Sequence, residues 1–181
     1  GMIYVCVGKN LANGLGTFWH PHFSKTFMSV YHEQPPLLYG IEALFFKLLG
    51  NSMYVERIYN LLIAVLHILL IVKLWKLISA NDSIYKATSW LPVLFWITIP
   101  VCFWAFTNSV EEITMGLFDL VSVLFVLKTL KESKHIYLNL FIAGSALIMA
   151  SLCKGMQGLF PLAAVFIYWL VFRTISFKKM F

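Results

Sequence analysis

Charge is what this sequence has least of. Among 181 residues there are eight acidic and fourteen basic side chains, 12% in all, about half the share usual in soluble domains. That is too few to cover the surface of a water-soluble domain, and the surplus of apolar residues (60%, with 17% aromatic) is too large for one buried core. Cysteine is scarce too. Cys6, Cys102 and Cys153 are odd in number and share no CxxC spacing, so neither a disulfide framework nor a zinc cluster is indicated, and they read as small buried apolar residues. Internal repeats and low-complexity linkers are missing, and the first apolar stretch is too short and interrupted for a signal peptide. The net charge of +6 comes without any basic nucleic-acid module.

What is present is long hydrophobic helix. Uncharged runs cover residues 87–110, 136–153 and 155–172, each close to the ~20 residues that cross a ~30 Å hydrocarbon layer. Two more spans are expected over 58–79, with Lys73 and Lys76 snorkelling at one end, and over 113–127, which carries Asp119. The expected fold is all-α: a polytopic transmembrane bundle of about five spans over 58–181, preceded by an extracytoplasmic segment, 1–57, that holds two interfacial helices.

Basic residues set the orientation, because short loops rich in Lys and Arg stay in the cytoplasm. Nine of them (Lys73, Lys76, Lys86, Lys128, Lys131, Lys134, Arg173, Lys178, Lys179) fall at one set of helix ends, and five (Lys9, Lys25, Lys47, Arg57, Lys154) at the other. Residues 1–57 are therefore expected outside, with the net positive charge meeting anionic headgroups. Trp75, Trp90, Trp104 and Trp169 sit mostly near span ends, as an aromatic belt would.

Within 1–57, Ile3, Val7 and Leu11 recur at helical spacing and Asn13-Gly14 supplies a stop. A loop over 17–34 with three of the five histidines follows, and Pro35-Pro36 opens a second short helix that ends at Leu49-Gly50.

The string HEQPPLLYGIEALFFKLLGNSMYVERIYN, His32 to Asn60, resembles the acidic, Pro-Pro, aromatic-helix and later Arg segment of membrane glycosyltransferases that use lipid-linked sugars. NSVEEITMGLF, Asn108 to Phe118, resembles their acidic second outer loop, and CKGMQGLFPLA, Cys153 to Ala163, their Lys-Gly step. The relatives are the protein O-mannosyltransferases and lipid A aminoarabinose transferases of the GT-C fold. The resemblance covers essentially this whole chain but only the N-terminal part of a typical member.

It implies transfer of a sugar from a polyprenyl-phosphate donor to a lipid or protein acceptor on the outer face of a bacterial cytoplasmic (inner) membrane. Such transfer needs a base for the acceptor hydroxyl and a cation for the departing phosphate. The family's catalytic aspartate lies four residues before the tyrosine of the first outer helix. Tyr4 would put it just ahead of Gly1, so the chain is expected to be a single incomplete domain and inactive alone. Glu33 takes the acidic position before Pro-Pro, which in some members helps to hold a divalent metal, with His32 beside it. Gln34 stands where relatives often carry a lysine that binds lipid phosphate, a charge for which protonated or metal-bound His32 would partly compensate. Glu112, next to Glu111, matches the second-loop acid. Lys154 is the candidate contact to the donor phosphate, and Arg57 a second clamp.

Each of these has a plainer reading. The carboxylates suit helix N-termini, Lys154 suits a membrane boundary, and Arg57 suits a helix anchor. His20 and His22 with His32 are either a metal cluster or a chance grouping in a loop, and His67 is a packed mid-span residue. Asp119 lies seven residues after Glu112 on the same helix face, roughly 10 Å deeper, and should face the bundle interior or a cavity. A transporter or channel subunit, with Asp119 coupled to ions, and a non-catalytic membrane scaffold are the competing function classes.

Overall fold

The computed structural model describes residues 1–80, 83–131 and 135–172. These form α1 (Met2–Ala12), α2 (Leu37–Leu49), α3 (Tyr54–Ile78), α4 (Ser83–Ala87), α5 (Leu91–Thr98), α6 (Pro100–Thr107), α7 (Glu111–Lys131), α8 (Ile136–Lys154), a 3-10 segment (Gly155–Leu162) and α9 (Ala163–Phe172). The described residues contain no named strand, only an isolated bridge between Gly16 and Pro21. The chain is all-helical, as its sequence implies.

Three helical stretches among the described residues are long and apolar enough to cross a membrane: Tyr54–Ile78, Glu111–Lys131 and Ile136–Val171. Their mutual packing reveals the path. At one end of the bundle the Tyr59 hydroxyl meets Thr114 Oγ1 at 2.5 Å, and at the other Lys131 Nζ donates to the carbonyls of Leu77 and Ile78 at 2.7 and 3.0 Å. α3 and α7 therefore run parallel, and Lys131 satisfies carbonyls that the last turn of α3 leaves without partners. α8 returns antiparallel to α7, bringing Lys154 back to Glu111 and Glu112.

The third stretch is not one straight helix. In a straight helix residues 150 and 158 would lie ~12 Å apart. Instead, a β-carbon built on Gly158 would fall 2.3 Å from the Ala150 carbonyl carbon. The chain reverses at Gly155, whose φ of 63° lies in the region where glycine is free of strain. α9 then descends beside α7, where Ala164, Ile167 and Val171 line a groove with Val123, Leu127 and Lys131. The expected break between 136–153 and 155–172 is thus present.

The expected span over 87–110 requires correction, because it is not a continuous helix. α4, α5 and α6 replace it, with Pro92 and Pro100 in the first turns of α5 and α6 and Ile99 extended between them (ψ 116°). The ring of Pro100 excludes the helical conformation at the residue before it, and the missing N–H removes a helical hydrogen bond. Among the described residues the path still makes five passes along the bundle, and one of them is bent.

Both short helices of the N-terminal segment form close to their expected limits, and Gly50 closes α2 at φ 82°. They pack on the bundle through a buried apolar cluster of Val7, Tyr31, Leu38, Tyr39, Tyr59, Ile63, Val110 and Ile113. Leu61, Leu69, Phe141 and Ile148 point outward, as lipid-facing residues would.

The reversal gives a direct test. Gly158→Val would drive the 3-10 segment off the α8 backbone and should cost about 2–3 kcal/mol, read as a lower melting temperature in detergent. Gly144→Ala, with open space around the added methyl, should raise stability by up to about 1 kcal/mol. Equal melting temperatures for the two variants would refute the tight reversal.

Candidate active site

The corner between α6 and α7 organises the candidate residues. Ser109 sits at φ 47°, unusual for a residue with a β-carbon, and is held there by two hydrogen bonds. Asn60 Nδ2 donates to Ser109 Oγ at 2.6 Å, and Ser109 Oγ donates to Glu56 Oε1 at 2.7 Å. The turn thereby fixes the start of α7 against α3 and points Glu111 inward and Glu112 outward.

Lys154, from the end of α8, lies between them. Its Nζ is 3.6 Å from Glu111 Oε2 and donates a short hydrogen bond to Glu112 Oε1. Glu111 is almost fully buried, with its side chain 2% exposed, so this ion pair is partly removed from water and the lysine offsets a costly buried charge. Glu111 Oε1 has no hydrogen-bond partner among the described residues.

α1 adds Tyr4, whose hydroxyl faces the Glu111 carboxylate. Burial first, and then the negative charge of Glu111, push its pKa up to about 12. Tyr4 packs edge-on against Tyr31 (6.5 Å between centroids) and tilted against Tyr39 (6.2 Å). Tyr31 in turn donates to Glu33 Oε2 at 3.0 Å, and burial followed by that bond raises its pKa. The structure thus brings together Tyr4, Glu111, Glu112 and Lys154, with Glu33 one tyrosine away.

The other candidates lie apart. Arg57 is exposed and forms no ion pair among the described residues. Gln34 is half-buried and makes none of the hydrogen bonds that join this group. His32 is exposed, with its Nε2 3.3 Å from His20 Nδ1, while His22 Nδ1 is engaged by the Ser29 carbonyl at 2.6 Å. The three histidines do not converge. Among the described residues no group of three or more His, Cys, Asp and Glu side chains is placed to hold a metal ion, Glu33 and His32 included.

A groove of about 760 Å³ opens beside Glu112, between α3, α5, α6 and α7. Its wall includes His67, stacked on Trp96 (5.6 Å, 13°) and edge-on to Phe106, with His67 Nδ1 bonded to the Ile63 carbonyl at 2.9 Å. Asp119 lines the same groove, and its Oδ1 is buried without a hydrogen-bond partner among the described residues. The arrangement is an apolar, aromatic-walled trough with a charged cluster at one end.

The sequence model of the dolichyl-phosphate-mannose-protein mannosyltransferase family matches residues 33–181. The chain belongs to that family. It is accordingly an integral membrane protein of a glycosyltransferase family, as its apolar helices require. No curated protein and no solved structure matches the chain. The match begins at Glu33 and takes in Glu111, Glu112, Lys154 and the groove, whereas Tyr4 and the histidine loop precede it.

Sequence reasoning missed Glu42, buried under α1, and the Asn60–Ser109–Glu56 chain. The one available signal was the i, i+4 spacing of Glu56 and Asn60, which sets both on one face of α3.

Proposed function

We propose that this chain forms part of a GT-C transferase that moves a sugar from a polyprenyl-phosphate donor to a lipid or protein acceptor at the outer face of a cytoplasmic membrane. The observation that carries this reading is the position of the Lys154–Glu111–Glu112–Tyr4 cluster at the end of the aromatic-walled groove. An apolar trough suits a prenyl chain, and a cation at its end suits the phosphate on which negative charge develops as the sugar leaves.

In this reading Lys154 is released from its carboxylates to meet the donor phosphate. Glu33, Glu111 and Glu112 support the reacting centre electrostatically, and Tyr4 fixes Glu111. Residues 1–57 form an outer platform and 58–181 the membrane bundle. Arg57, Gln34 and His32 are secondary contacts that would have to move toward the donor.

The test is transfer of labelled sugar from a polyprenyl-phosphate donor by membranes that contain the complete protein. Glu33→Gln should lower the rate about 10-fold or more while leaving membrane insertion unchanged. Full activity in that variant would remove Glu33 from the site. The transport reading rests on Asp119 in the groove; ion flux without sugar transfer in the same membranes would favour it over ours.

A further inference from the structure

Glu111 and Glu112 are neighbours in sequence with opposite surroundings: the first is buried, the second is exposed over half its side chain, and Lys154 reaches both. Successive residues of a helix point about 100° apart, so this division depends on where α7 starts and how it is rotated. Two clasps to α3 set both. Tyr59 meets Thr114 at 2.5 Å. The next residue, Asn60, donates to Ser109 Oγ, which donates to Glu56 Oε1. Tyr59, Asn60, Ser109 and Thr114 are all buried.

Ser109 is the tighter constraint of the two. Its φ of 47° is one that glycine adopts freely and a residue with a β-carbon does not, so the side chain has to earn its place there. It does so through a hydroxyl whose single proton is committed to Glu56 while a lone pair takes the Asn60 amide, and one rotamer serves both partners. An apolar contact of the same shape would join α3 to α7 with less desolvation. What the polar chain adds is direction, because its bonds are satisfied at one register and one rotation of the first turn of α7. The corner also meets α1. Gly1 lies against the Asn108 carbonyl with no room for a β-carbon, so the helix that carries Tyr4 starts against the residue before Ser109.

We propose that Ser109, held by Asn60 and Glu56, is the positioning residue of the candidate site: it keeps Glu111 turned inward and Glu112 outward, so that Lys154 stands between them beside the groove. Its catalytic consequence rests on the transferase reading, whereas its coupling to Lys154 does not. Ser109, Asn60 and Glu56 act through Lys154 and the two carboxylates. If the corner is released, α7 can rotate, Glu111 reaches water, and the lysine is no longer needed to offset a buried charge.

Two measurements on the complete protein test this. The first is a double-mutant cycle in melting temperature, which needs no enzymatic activity. The loss caused by Lys154→Ala should shrink to about half or less when Ser109→Ala is already present, because Glu111 has then turned toward water. Equal losses in the two backgrounds overturn the proposal. The second is transfer of labelled sugar from a polyprenyl-phosphate donor, assayed well below each variant's melting temperature. Ser109→Ala should lower kcat about 10-fold or more and leave the donor KM within about 2-fold, since the groove is intact and the cation misplaced. Added to Glu111→Gln it should lower kcat by about 2-fold at most. A changed KM with kcat intact, or fully multiplicative losses, overturns the positioning role. Glu56→Gln, whose amide carbonyl still accepts from Ser109, should keep the parent rate, and Glu56→Ala should not; equal rates in these two overturn the chain. If Ser109→Ala does not fold, Glu56→Ala takes its place in both measurements. A parent protein that transfers no sugar overturns the transferase reading, and the melting cycle alone then decides the role of the turn.

Discussion

Lys154→Ala should lower sugar transfer by the complete protein about 10²–10³-fold, the effect expected when a positioned cation is removed from a developing phosphate charge. It should also lower the melting temperature, because Glu111 stays buried without its ion-pair partner. The two effects can be separated. Adding Glu111→Gln removes the uncompensated charge and should restore most of the melting temperature, yet leave transfer low. Recovery of both would make Lys154 a structural counter-ion only. Recovery of neither would place the loss in the Glu112 contact, which Glu112→Gln would then reproduce.

Glu42 yields the second large effect. Burial, reinforced by the charge of Glu56, raises its pKa from 4.5 to about 8. The native state therefore holds this proton at pH values where the unfolded chain has released it. Native stability should fall as pH rises from about 4.5 to about 8 and level off above that. The full cost is at most about 5 kcal/mol. Glu42→Gln should abolish this slope, matching the parent near pH 5 and melting well above it at pH 9. Parallel melting curves for parent and variant from pH 5 to 9 would refute both the buried acid and its linkage.

Helix identity was largely legible in the sequence because bilayer-length apolar runs leave few alternatives. α8 ends at Lys154, one residue beyond the expected limit, and the reversal falls at Gly155 as the Lys-Gly step suggests. The 87–110 run misled because hydropathy counts Pro92 and Pro100 as ordinary members of an apolar stretch, whereas the backbone cannot. Glu111, Glu112 and Lys154 stood out as isolated charges beside apolar helix, and their meeting in space follows from antiparallel α7 and α8. Arg57 carried the same signal and is exposed, since a charge near a span end indicates depth without giving rotation about the helix axis. Glu42 was hidden for the opposite reason: as one acid on an amphipathic helix it reads as its solvent face, and only the packing of α1 over it shows otherwise.

The 3-10 winding after Gly155 has a consequence for fit to the bilayer. From Gly155 to Phe172 there are eight residues of 3-10 helix and ten of α-helix. Wound wholly as α-helix, a segment of that length would reach about 27 Å, short of a ~30 Å hydrocarbon layer. The 3-10 rise of about 2.0 Å per residue lengthens it to about 31 Å. Over its described residues the last pass thus gains about 4 Å of reach from the winding of its backbone.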